Sequence, residues 1–209
     1  RHRLGPRGVH AAVLRAHEAE VVAPDRQDLG DEVRPVAAER HPVGTRVLRN
    51  TMVQVALAKA DDRHQALRDA MGELLEMDEP RRHVAAMLSG LDVHYDLSAG
   101  HPLLGRRMPD LELDTADGRI RVFDLLQKAR PVLLDLAGSG DVDPGVWADR
   151  VTVVVATHSG AWELPVIGEV PAPAAVLIRP DGYVAWTGDV GQDDLHAALT
   201  AWFGAATDR

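Results

Sequence analysis

Ala174-Ala-Val-Leu-Ile-Arg-Pro-Asp-Gly-Tyr-Val-Ala-Trp186 decides how the second half of this chain folds. Residues 174–178 are an unbroken apolar run, Pro180-Asp181-Gly182 is a turn sequence, and residues 183–186 are apolar again, so the stretch reads as a β-hairpin. Upstream, Val132-Leu-Leu-Asp-Leu136 is apolar except at Asp135, the pattern of a strand covered on both faces in a mixed or parallel sheet. Residues 151–156 read as another buried strand, with a short helix over 144–148 before it. Downstream, residues 193–203 form an amphipathic helix through Leu195, Leu199, Trp202 and Phe203. Ahead of all these, Pro109-Asp-Leu-Glu-Leu-Asp114 alternates, Asp117-Gly118 signals a hairpin, residues 119–122 return and residues 123–129 form a short helix. The order is ββαβαβββα. The expectation is an α/β fold: a thioredoxin-like domain with an added N-terminal hairpin.

The first half is helical in character. In residues 43–75, Val47, Leu48, Met52, Val55, Leu67, Met71 and Leu74 recur at three- and four-residue steps, with a break at Asp61-Asp62. This predicts two helices, or one kinked helix, beginning at Pro42, a residue suited to a first helical turn. A further helix is predicted over 79–88, capped by Gly90. Residues 1–37 mix Gly5, Pro6, Gly8, Pro24, Gly30 and Pro35 with charged residues. Only residues 9–22 could form a helix there, without a clean apolar stripe, and poor order is expected.

Composition removes several function classes. The 209 residues contain no Cys, which excludes disulfides, thiolate metal sites and every Cys-dependent nucleophile or redox couple in this chain. A net charge of −9, with Lys only at Lys59 and Lys128 and no aromatic-interleaved basic patch, argues against a nucleic-acid partner. No run of eighteen apolar residues and no leader-like start are present, so no membrane partner is expected and the cytoplasm is the expected location.

Several stretches fall in order along the chain: Ala38-Glu39-Arg40-His41-Pro42-Val43, Arg49-Asn50-Thr51-Met52, Asp78-Glu79-Pro80-Arg81, Ser89-Gly90-Leu91-Asp92 and His101-Pro102-Leu103-Leu104-Gly105. They continue with Arg107-Met108-Pro109-Asp110, Trp162-Glu163-Leu164-Pro165 and Ala175-Val-Leu-Ile-Arg-Pro-Asp-Gly182. Over residues 38–205 they resemble the C-terminal region of FAD-dependent aromatic-ring hydroxylases, class A flavoprotein monooxygenases of the actinobacterial polyketide and rifampicin type. The resemblance implies a parent enzyme that uses NAD(P)H, FAD and oxygen to hydroxylate an aromatic ring. It also implies that Glu39-Arg40-His41-Pro42 ends the flavin domain and that the C-terminal domain is thioredoxin-like. The resulting partition is 1–37, unmatched; 38–100, a helical segment from the end of the flavin domain and linker; and 101–209, the thioredoxin-like domain. Position 1 is Arg, so the chain is expected to come from something longer, or to follow a frameshifted or rearranged coding start.

No catalytic, cofactor-binding or metal residue is assigned. The glycine-rich turn that seats a pyrophosphate on a helix N-terminus has no counterpart: Gly5-Pro-Arg-Gly8 follows no strand, and Pro6 offers no N–H. The loop where a thioredoxin-like fold would carry its thiols is Gly138-Ser139-Gly140-Asp141-Val142-Asp143-Pro144. The ten His residues show no His-Glu-x-x-His spacing, and structural or surface roles are expected for His94, Tyr95 and His101. Asp141, Asp143 and Asp149 lack a calcium-loop pattern and read as loop and cap residues. Ser139 does not sit in a nucleophile elbow. Trp162 and Trp202 are expected in the core, and Arg81-Arg82 and Arg106-Arg107 on the surface.

The functional expectation is therefore a non-redox part of a monooxygenase, with FAD and NAD(P)H belonging to the parent and not to this chain. Its expected partner is the parent's flavin domain or a second subunit. The alternative is a free-standing module that docks on a separately encoded hydroxylase. Two local expectations go with this reading. The Ala172–Pro173 bond should be cis, as before the third strand of thioredoxin-like domains, and Asp135 should have a polar partner or a raised pKa.

Overall fold

The computed structural model describes residues 36–97, 100–140, 142–188 and 193–205. The expectations for residues 1–35, including the helix at 9–22, lie outside the described residues. The architecture is mixed α/β, a helical segment followed by a sheet-rich part, as the patterning predicts. Among the described residues, three helices come first: α1 (Val36–Leu57), α2 (Asp62–Leu75) and α3 (Asp78–Ser89). The break at Asp61 is an N-cap. Its carboxylate accepts from the His64 N–H at 3.0 Å and meets His64 Nδ1 at 2.6 Å. Gly90 closes α3 in the left-handed region, φ 71°.

Helix α1 corrects the expected start. It begins at Val36 and carries Pro42 inside it. Proline removes a helical hydrogen bond there. Ion pairs from the turn ahead of it, Glu39 to Arg179 and Arg40 to Asp181, hold that turn in place from outside the helix.

After the helices come β1 (Glu112–Thr115), β2 (Gly118–Arg121), α4 (Val122–Leu126), β3 (Val132–Asp135), a 3-10 turn (Gly145–Trp147), β4 (Thr152–Val155), β5 (Trp162–Leu164), β6 (Gly168–Val170), β7 (Ala175–Ile178), β8 (Val184–Gly188) and α5 (Asp193–Phe203). The four-stranded sheet runs β4-β3-β7-β8, with β3–β4 parallel and the other two pairs antiparallel. That is the order and sense of a thioredoxin-like sheet. Strand β3 lies inside it and is buried at all four residues. Side chains alternate across its faces: Val132 and Leu134 join Met108, Leu113, Val176 and Trp162, whereas Leu133 joins Trp147, Leu177, Leu195 and Leu199.

Two expectations fail in the sheet. Strand β4 is not buried throughout: it is an edge strand, with Val153 and Val155 on an uncovered face and 40% and 44% exposed. The connection after it is a small antiparallel hairpin, β5–β6, which sequence patterning did not separate from loop. Trp162 in that hairpin is in the core, at 3% exposure.

The Ala172–Pro173 bond is trans; no cis bond occurs among the described residues. The Ala174 carbonyl accepts from the N–H groups of Leu136 (2.8 Å) and Ala137 (3.0 Å), which fixes the chain one residue after the proline, just ahead of β7. The ordinary preference before proline is trans, by about 0.5–1 kcal/mol.

The other edge is covered at the start of β8 and the turn before it. Residues 105–108 run beside it through Gly105 N–H to Val184 O, Val184 N–H to Arg106 O and Met108 N–H to Gly182 O, all at 2.9 Å. The Tyr95 N–H donates to Gly105 O at 2.9 Å, so residues 93–95 close this layer. Position 105 requires glycine: its φ is 73°, and a Cβ would lie 2.0 Å from the Tyr95 carbonyl oxygen.

Candidate functional site

At the end of β3, just ahead of the loop where a thioredoxin-like fold would carry its thiols, this chain places a buried carboxylate. Asp135 is 1% exposed and accepts from Gly140 N–H at 2.6 Å, Gly138 N–H at 3.1 Å and Ser139 Oγ at 3.4 Å. Both glycines have positive φ, 69° and 73°, which turns their N–H groups inward. The expected polar partner of Asp135 is therefore the loop itself, and the carboxylate stitches that loop to the end of β3. Ser139 takes part in this stitch. Asp143 caps the next turn by accepting from Gly145 N–H at 2.8 Å; Asp141 lies outside the described residues. Among the described residues no three His, Asp or Glu side chains converge as a metal site would require. His101 and His94 bond backbone carbonyls, of Pro171 (2.9 Å) and Leu104 (3.1 Å).

The main concentration of charge was not foreseen from the sequence. Arg179, 6% exposed, follows β7 at the start of the hairpin turn. Its Nη1 donates to Glu39 Oε1 at 2.7 Å, while Nη2 and Nε form a fork on Asp181 at 2.5 and 3.1 Å. Arg40 reaches the same Asp181 at 2.9 Å. The Arg179 guanidinium lies 4.1 Å from the Trp202 ring centre and 5.5 Å from that of Tyr95, whose ring in turn meets Tyr183 at 4.7 Å, tilted by 59°. Burial by itself would lower the Arg179 pKa, but the hydrogen bonds to Asp181 and Glu39 outweigh it and raise it above the ordinary value. Two arginines face two carboxylates, so the cluster is charge-balanced. Oε2 of Glu39 is buried without a partner. A second fork, Arg46 to Asp92 at 2.9 and 3.0 Å, ties the middle of α1 to the chain after α3.

The helices themselves are open. Neither α2 nor α3 contains a buried residue. Leu48, Met52 and Val55 fall on one stripe of α1, Leu67 and Leu74 on one stripe of α2, and all five are at least 46% exposed. Amphipathic helices owe most of their stability to burying such a stripe, and large exposed apolar patches mark interaction sites. No helix among the described residues is long and apolar enough to cross a membrane.

The family described as aromatic-ring hydroxylase, C-terminal, matches residues 101–206. The chain is 42% identical over 171 residues to the 12-dehydrotetracycline 5-monooxygenase/anhydrotetracycline 6-monooxygenase of Streptomyces rimosus subsp. rimosus, covering 80% of this chain and 33% of that protein. It is 41% identical over 170 residues to the rifampicin monooxygenase of Streptomyces venezuelae, covering 81% and 32%. Among solved structures, CabE, an aromatic hydroxylase from angucycline biosynthesis, superposes with a TM-score of 0.67 at 44% identity, over 81% of this chain and 35% of that one. The chain thus spans about a third of the length of the curated relatives it matches.

Proposed function

The chain belongs to the aromatic-ring hydroxylase C-terminal family, and from that premise we propose that it is the non-catalytic C-terminal portion of a flavin-dependent aromatic-ring monooxygenase. In this reading FAD, NAD(P)H and oxygen are handled by the flavin-binding portion. Residues 101–209 form a thioredoxin-like domain in which the loop after β3 is a structural turn, and residues 38–100 carry the surface that joins the two portions. FAD binding needs N–H groups at a glycine-rich strand-to-helix turn, and oxygen activation belongs to the flavin, so this chain has no means of performing the reaction alone.

The observation that carries the proposal is the open apolar face of α1–α3: helices with Leu, Met and Val at regular spacing and no buried residue in α2 or α3. The occupant argued for is the flavin-binding portion, because the relatives extend over about twice as much chain again. The test is gel filtration of the chain with the remaining two thirds of the Streptomyces rimosus relative. Wild-type chain should co-elute with it, and Leu48→Asp/Met52→Asp should not, while the variant keeps the wild-type melting temperature. Failure of the wild-type chain to associate, or equal association by the variant, overturns the proposal.

A further inference from the structure

The three helices pack on one another but only sparsely on the strands. What spans from α1 to the sheet-rich part is chiefly ionic: Glu39 and Arg40 on the first turns of α1, with Arg179 and Asp181 on the β7–β8 turn. We infer that Arg179 is a positioning residue, an ionic latch that fixes the first half of α1 against the sheet and so presents the helical face already ordered. The last clause rests on the docking role proposed above; the latch itself does not.

The geometry supports a latch rather than a surface ion pair. Surface pairs contribute little because long exposed side chains lose entropy when held together. Here Glu39 and Arg179 have side chains only 10% and 7% exposed, and the guanidinium is held in place by its fork on Asp181 and by the Trp202 ring. One planar group therefore meets four separate segments: α1, the chain after α3 through Tyr95, the β7–β8 turn, and α5. A lysine could not reproduce this, having neither the fork nor the flat face. Pro42 adds a second reason. It interrupts the hydrogen bonding of α1 just after Glu39 and Arg40, so the turn ahead of it depends on tertiary contacts more than an unbroken helix would.

Hydrogen exchange on the full chain tests this. In wild type the amides of residues 39–41 and 43–48 should be protected. Glu39→Gln leaves the Arg179 fork and ring contact intact, so the fold survives, yet these amides should exchange faster by about tenfold or more, the scale of one charge-assisted hydrogen bond. The amides of β3 and β7 should be unchanged. Arg179→Lys also loses the Asp181 fork and the ring contacts, so it should accelerate exchange in α1 at least as much, and adding Glu39→Gln to it should change α1 little further, since the Glu39 contact is already broken. Unchanged exchange in α1 for both variants overturns the latch. So does an equal acceleration of α1 and β3, which would mark general destabilisation. Because the readout needs no flavin-binding portion, its outcome is independent of whether the helical face docks there.

Discussion

Asp135 is one carboxylate in a strand of buried apolar residues, and burial obliges it to find partners. Which partners it would find was not legible, because they depend on two glycines turning their N–H groups back at positive φ. Asp135→Ala should destabilise the chain by about 1.5–3 kcal/mol, the worth of hydrogen bonds to a charged group, and Asp135→Asn by less, read as the shift in urea midpoint. An unchanged midpoint for the alanine variant would mean that the loop holds itself. Gly105→Ala should cost at least about 1 kcal/mol by the same measurement, since neither its φ nor the Tyr95 carbonyl admits a Cβ. Arg179 was hidden for a different reason. Beside Pro180-Asp181-Gly182 it reads as an ordinary turn residue, and its partner Glu39 is 140 residues away. The one local signal was a cation directly continuing the apolar run 174–178.

At the scale of elements, long periodic segments were readable and short or edge segments were not. The break between α1 and α2, the Gly90 cap, the β1–β2 and β7–β8 hairpins and α5 all follow from spacing and turn chemistry. The β5–β6 hairpin, with strands of three residues around Pro165 and Gly168, carries too little alternation to separate from loop. Strand β4 looks buried by composition, but its edge position exposes every second valine, and composition does not encode strand order. The helix cap at Asp61 gives a pH prediction. The His64 side chain, then its backbone N–H, hold the Asp61 carboxyl below its ordinary value. A lowered folded-state pKa contributes stability above the unfolded value, about 3.9, and loses it as pH falls through the folded value. The first turn of α2 should therefore fray on acidification below about pH 4, visible in NMR Cα shifts of residues 62–66. Asp61→Ala should show a frayed turn already at pH 7, with little further acid change; an identical acid profile in both proteins would rule the cap out as the cause.

For the whole molecule, the separation of roles follows from what is buried and what is not. The sheet-rich part has a complete core on both faces of β3, whereas the helical segment leaves its apolar stripes open and is tied to the sheet mainly by charges. Sequence motifs identified the family, and the absence of thiols and of a glycine-rich nucleotide turn set the expected limits of the chemistry. The joint and the open face are visible only in the folded chain, since both depend on residues far apart in sequence. The most direct test of the central claim is flavin absorbance of the purified chain after gel filtration with excess FAD, followed by NAD(P)H oxidation with a phenol present. The protein peak should be colourless and NAD(P)H oxidation should stay at the protein-free rate; a peak carrying one flavin per chain, or phenol-dependent turnover, would show that this chain does flavin chemistry by itself.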